Sequence, residues 1–136
     1  MCPAEDSISE NAGAMAKTIL VVEDEVLVRM NIADHLREQG FIVLEAASAD
    51  EARSVLLAGV AVDLVFSDIT MPGELDGAAL TEWLVAHNPD LPIILTSGVE
   101  SVLGDTAARH AQVKRVLVKP YDQYGLAAEI AQLLKD

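Results

Sequence analysis

The sequence predicts a doubly wound α/β domain built on a parallel sheet, and two observations carry that prediction. Five short apolar runs rich in Val and Ile recur along the chain: "TILVV", "FIVLEA", "DLVFS", "PIILT" and "RVLV". The stretches between and after them space their apolar residues for helices. Strand then helix, repeated five times in about 120 residues, is the pattern of a parallel sheet covered by helices.

The five runs are apolar without strict alternation, which suits parallel strands buried on both faces. The first helical stretch carries Val28, Ile32 and Leu36 at i, i+4 and i+8 and stops at Gly40. The second opens with "SADE", where Ser48 and Glu51 fit a capping box, and carries Ala52, Val55 and Leu56 before Gly59. The third holds Leu80, Trp83, Leu84 and His87 and ends at "NPD". The fourth, from about Glu100 to Ala111, has a thin apolar face of Leu103, Ala107 and Ala111 interrupted by Gly104, so it is expected to be the least firmly packed. The fifth follows Pro120 and presents Leu126, Ile130, Leu133 and Leu134 as one stripe.

Residues 1–16 lack periodicity and read as a flexible leader, with Met15 an alternative start, and residues 17–136 as one domain. Half of the 136 residues are hydrophobic (51%), enough for a real core, and the scarcity of aromatics makes that core one of Val, Leu, Ile and Ala. Nine basic against 22 acidic residues leave a net charge of −13, which disfavours nucleic acid and anionic membranes and favours cations or basic surfaces. Cys2 is the only cysteine, so neither an internal disulfide nor a thiolate metal cluster can form. The longest apolar run, Val55 to Val62, is far short of the ~20 residues that span a bilayer, and the polar start shows no secretory signal. A cytoplasmic location is expected.

Function is written at the strand ends. The first run is followed by Glu23 and Asp24, the third by Asp68, the fourth ends at Thr96 and the fifth leads to Lys119. In a parallel sheet all carboxyl ends lie on one edge, where open α/β folds bind ligands. A helix N-cap explains one such Asp, but not three carboxylates, a hydroxyl and a lysine together. Clustered carboxylates repel unless a proton or cation intervenes, and oxygen-only ligands select a hard ion such as Mg²⁺. A carboxylate beside that ion can be a nucleophile towards phosphorus, with Lys119 and Thr96 suited to the phosphoryl oxygens. Glu25 reads as a helix-start residue, where negative charge is favourable. His35, His87 and His110 read as surface or boundary residues, Trp83 as core or boundary, and Cys2 as inert.

These residues resemble the receiver domain of bacterial two-component response regulators. The resemblance runs from Lys17 to Asp136 and rests on "ILVVEDE", "VFSDITMPGELDG", "PIILTSG" and "VLVKPY". It implies a CheY-like, flavodoxin-like three-layer (βα)5 sandwich with strand order 2-1-3-4-5. It implies that Glu23 and Asp24 help to hold Mg²⁺, with Asp24 a direct ligand, that Asp68 is phosphorylated, and that Thr70 lends a backbone carbonyl to the metal. Thr96 matches the hydroxyl residue that moves towards the phosphoryl group, Lys119 the lysine that contacts it, and the Lys119–Pro120 bond the family's cis bond.

The implied reaction is phosphoryl transfer from a histidine kinase or histidine phosphotransfer protein to Asp68, later reset by hydrolysis. Such a domain assists its own phosphorylation without being a conventional enzyme. Because the pattern fills the chain, a stand-alone receiver is expected, either a monomer or a weak homodimer. Its signal is expected to pass to another protein through the fourth helix, fifth strand and fifth helix. Three departures stand out. Val116 occupies the position where the family commonly has Tyr or Phe, with Tyr121 and Tyr124 the nearby alternatives. "MPGELDG" is one residue longer than the common "MPGMDG". Ser97 and Gly98 follow Thr96 where many members have Ala and then a larger residue. A receiver fold that binds partners without phosphorylation is the competing reading. An aspartyl hydrolase lacks an evident second acid and cap, and a nucleotide binder is disfavoured by the acidic first loop.

Overall fold

The structure is a computed structural model and describes residues 16–69, 77–97, 112–119 and 123–134. Five strands are present: β1 (Thr18–Val22), β2 (Ile42–Ala46), β3 (Leu64–Asp68), β4 (Ile93–Ser97) and β5 (Val113–Val118). The helices among the described residues are α1 (Val26–Glu38), α2 (Ala49–Leu57), α3 (Gly77–His87) and α4 (Gln123–Leu133). Thus α4 is the helix expected after Pro120. The expected helix at about 100–111 lies outside the described residues, as do residues 1–15, residues 71–76 of "MPGELDG", Thr70, Gly98, His110, the Lys119–Pro120 bond, Tyr121 and the side chain of Tyr124.

The strands pair in parallel in the order β2-β1-β3-β4-β5, the arrangement that the resemblance implies. Alternation along the strands divides the core. Ile19, Val21, Leu64, Phe66 and Ile94 face α1 and α4, meeting Ile32, Ala33, Leu36, Leu126, Ala127 and Ile130. Leu20, Val22, Val65 and Leu95 face the other way, onto Ala49 and Ala52 of α2 and Leu80 and Leu84 of α3. The result is three layers, with the sheet buried on both faces as its continuous apolar runs require.

Local chemistry sets the helix ends. After α1, Gly40 takes φ 101°, a left-handed turn that favours glycine, while its N–H donates to Arg37 O and that of Phe41 donates to Leu36 O. This pair of bonds closes the helix in a Schellman motif. Gly59, at φ 86°, ends α2 in a similar way. At the start of α2 the Ser48 hydroxyl accepts from the Glu51 N–H at 3.1 Å. The Glu51 carboxylate accepts from the Ala47 N–H at 2.7 Å, one residue earlier than a standard capping box uses.

Two sequence expectations change. β5 begins at Val113, two residues before "RVLV", because an edge strand tolerates the exposed Lys114 and Arg115. Its register slips between Ile93 and Ile94, which pair with Val113 and Arg115, so Lys114 is the extra residue of a bulge. His35 is buried, at 8% exposure, because α4 packs over that flank of α1; it borders a groove of about 350 Å³ with Gln39, Phe41 and Ala127. Glu25 sits at the N-cap of α1, at the helix start as expected, and its side chain makes no capping bond. Trp83 is a boundary residue as expected, packed against the core and stacked on the His87 ring at 4.4 Å.

Candidate functional site

The same alternation that builds the core aims the polar residues. Continuing each strand by two from a residue on the α1/α4 face leads from Val21 to Glu23, from Phe66 to Asp68, from Ile94 to Thr96 and from Leu117 to Lys119. All four therefore leave the sheet on one side, at its carboxyl edge. Register brings them level: Val22 pairs with Ser67, Asp68 with Thr96, and Thr96 with Leu117.

Lys119 closes the site. Its ammonium donates to Asp68 Oδ2 at 2.9 Å and to Glu23 Oε1 at 3.3 Å, joining residues 51 and 96 positions apart in the chain. Glu23 and Asp68 are buried, with 2% and 7% exposure, and Thr96 is buried beside them on β4. Asp24 is the most accessible of the acids, and carboxylate oxygens of Glu23, Asp24 and Asp68 lie within 4.8 Å of one another. Two bonds of about 2.1 Å to a hard divalent cation span about 4.2 Å, so this oxygen-only set fits such an ion directly or through its waters.

Electrostatics show the strain of that grouping. Burial chiefly, and then the negative charge of Asp68, push Glu23 above the ordinary carboxylate value of 4.5, against the opposing Glu25 N–H and Lys119. Burial alone depresses Lys119, but the hydrogen bond and charge of Asp68, with a smaller contribution from Glu23, outweigh it and hold the lysine above 10.5. The lysine therefore stays charged, and the acids remain under-neutralised.

The structure thus brings together Glu23, Asp24, Asp68, Thr96 and Lys119, while Thr70 lies outside the described residues. It also adds two residues that sequence reasoning passed over. The Ser67 hydroxyl donates to the Asp68 carbonyl at 2.9 Å, and Arg29 donates to the Glu23 carbonyl at 2.8 Å. A serine directly after the apolar Leu64, Val65 and Phe66 was the one available signal for the first. The second had none, because an arginine in the first turn of a helix is ordinarily solvated.

The model of the response regulator receiver domain matches residues 19–131. The chain belongs to that family. Among curated relatives of this receiver domain, sensor kinase CckA of Brucella abortus is 37% identical over 122 residues, 87% of this chain and 12% of that protein. Transcriptional regulatory protein PdtaR of Mycobacterium tuberculosis is 36% identical over 110 residues, 79% of this chain and 52% of that protein. The chain therefore spans about half or less of these relatives. The solved receiver domain of NtrX from Brucella abortus superposes with a TM-score of 0.72 at 31% identity, covering 85% of this chain and 96% of that one. Response regulator TrrA of Thermotoga maritima, solved in complex with Mg(2+)-BeF, gives a TM-score of 0.76 at 27% identity, covering 86% and 98%. Among the described residues no helix is long and apolar enough to cross a membrane.

Proposed function

We propose that this receiver domain accepts a phosphoryl group on Asp68 from the phosphohistidine of a histidine kinase or histidine phosphotransfer protein, in a Mg²⁺-dependent reaction. The observation that carries the proposal is the Lys119 ammonium held between Asp68 and Glu23. A positive charge on the carboxylate that is to receive a phosphate, beside an oxygen-only acid set, is the arrangement phosphoryl transfer needs.

In this reading an Asp68 carboxylate oxygen attacks phosphorus, the O–P bond forms as the histidine N–P bond breaks, and the imidazole leaves with the electron pair. Lys119 orients the carboxylate and then faces the phosphoryl oxygens. Thr96, the register neighbour of Asp68, offers a hydroxyl to the same oxygens. Glu23 and Asp24, with Asp68 and the Thr70 carbonyl, are the residues that would hold Mg²⁺, whose chemistry is to neutralise acid and phosphate charge. The Mg²⁺ complex of TrrA, a family member, supports this assignment. The phosphorylated state signals by protein contact, with β5, α4 and the segment at about 100–111 as the proposed surface.

The test is incubation with acetyl phosphate, with and without Mg²⁺, followed by intact mass for the wild type and Asp68→Ala. One added phosphoryl group, dependent on Mg²⁺ and absent from the variant, is expected. An equal gain in Asp68→Ala, or none in the wild type, refutes the proposal.

A further inference from the structure

We propose that Arg29 is a positioning residue for the cation site: it fixes the Glu23 peptide so that the acid side chains converge, and Glu45 on β2 holds it there. The inference rests on the reading of Glu23, Asp24 and Asp68 as a divalent-cation site.

Arg29 lies in the first turn of α1, and its side chain is 15% exposed. Its guanidinium donates in two directions, from one terminal nitrogen to the Glu23 carbonyl at 2.8 Å and from Nε to Glu45 Oε1 at 3.3 Å. The other Glu45 oxygen lies 3.2 Å from Arg37, which also donates to the Val43 carbonyl at 2.9 Å. The edge strand β2 thereby anchors the guanidinium through two residues of α1.

The Glu23 peptide is gripped at both ends. Its N–H donates to the Ala46 carbonyl of β2 at 3.1 Å, and its own carbonyl accepts from Arg29. With the backbone held, the side chain has one orientation left to satisfy: Oε2 accepts the Glu25 N–H at 3.2 Å and Oε1 meets Lys119. Arg29 does this through a carbonyl and an acid outside the triad, so it orders the site while leaving the triad carboxylates for a cation. A fork of planar N–H donors holds two acceptors in fixed directions at once, whereas a lysine ammonium is a compact charge whose three donors rotate and impose no such geometry.

Two effects of opposite sign separate this role from its alternatives. As a nearby positive charge alone, Arg29 would weaken cation binding, and its removal would tighten it. As a positioning residue it strengthens binding, and outer-shell partners of metal ligands are worth about 10- to 100-fold in affinity. A simple tie between α1 and β2 would alter stability and leave the affinity of the folded protein unchanged.

The test is Mn²⁺ affinity, read by water-proton relaxation and confirmed by Mg²⁺ competition, on wild type, Arg29→Lys, Arg29→Gln, Glu45→Gln and Asp68→Asn, with circular dichroism reporting the fold. Arg29→Lys, which conserves charge, is expected to bind Mn²⁺ about tenfold more weakly. Arg29→Gln is expected to weaken binding too, and Glu45→Gln to weaken it about two- to fivefold, the scale of a partly exposed ion pair. Wild-type affinity in Arg29→Lys, or tighter binding by Arg29→Gln, overturns the inference while the cation site stands. No Mn²⁺ binding by the wild type, or none lost in Asp68→Asn, overturns the site and the inference together. If the Arg29 variants do not fold, Glu45→Gln decides alone, and unchanged affinity there refutes the role.

Discussion

Replacing Lys119 with Met keeps an unbranched side chain one atom shorter and removes a charge that touches both buried acids. At 2.9 and 3.3 Å its gross attraction for Asp68 and Glu23 is about 6 and 5 kcal/mol at an effective dielectric constant of about 20. Desolvation of all three groups cancels most of that. Exposed pairs are worth about 1 kcal/mol or less, while stripping a partner from a fully buried pair costs about 3–5 kcal/mol. With the lysine side chain 30% exposed and the acids buried, Lys119→Met should destabilise the cation-free protein by about 2 kcal/mol. For a domain of this size that is a fall in Tm of roughly 8 °C. The deficit should shrink to below about 1 kcal/mol in saturating Mg²⁺, because a bound cation neutralises the same carboxylates. Thermal and urea unfolding in EDTA and in Mg²⁺ measure both values. No deficit in EDTA, or the same deficit in both buffers, refutes the view that lysine and cation share one electrostatic task.

Further outcomes follow from particular residues. Because the folded protein holds the Glu23 proton above 4.5 while the unfolded chain releases it there, Glu23 lowers stability as pH rises from 4.5 through its raised folded value. In EDTA, Glu23→Gln should therefore gain stability over the wild type from pH 4.5 towards neutrality, and a pH-independent difference in urea midpoints contradicts this. Ser48→Ala removes the acceptor of the Glu51 N–H and should cost about 1 kcal/mol, seen in denaturant unfolding, with the proposed phosphorylation of Asp68 unchanged. Gln112 donates through Nε2 to the carbonyls of Asn88 and Leu91, tying the approach to β4 to the start of β5. Gln112→Ala leaves acceptors without that donor and should cost about 1–3 kcal/mol, measurable in the same way.

Most of the fold was legible because its signals are local. Apolar runs marked the strands to within one residue, except β5, which begins two residues earlier and carries Lys114 and Arg115 in its first half at a solvent-facing edge. Glycines after Leu36 and Leu56 marked helix ends because only they adopt the left-handed turn cheaply. The candidate site was legible for one geometric reason: parallel strands share a carboxyl edge, so Glu23, Asp24, Asp68, Thr96 and Lys119 had to converge. His35 and Arg29 were not legible. Whether a helix position meets water, a second helix or a neighbouring loop depends on elements far away in sequence.

By itself, then, the sequence determined the strands apart from the start of β5, the helices among the described residues, and which polar groups stand at the strand ends. Those properties depend on periodicity and capping within a few residues. Only the tertiary structure decided that one lysine touches two acids, that α4 buries His35, and that Arg29 grips the loop after β1 from a brace on β2. Such contacts join positions distant in the chain, and distances of about 3 Å follow from sheet register and packing, which no local pattern encodes.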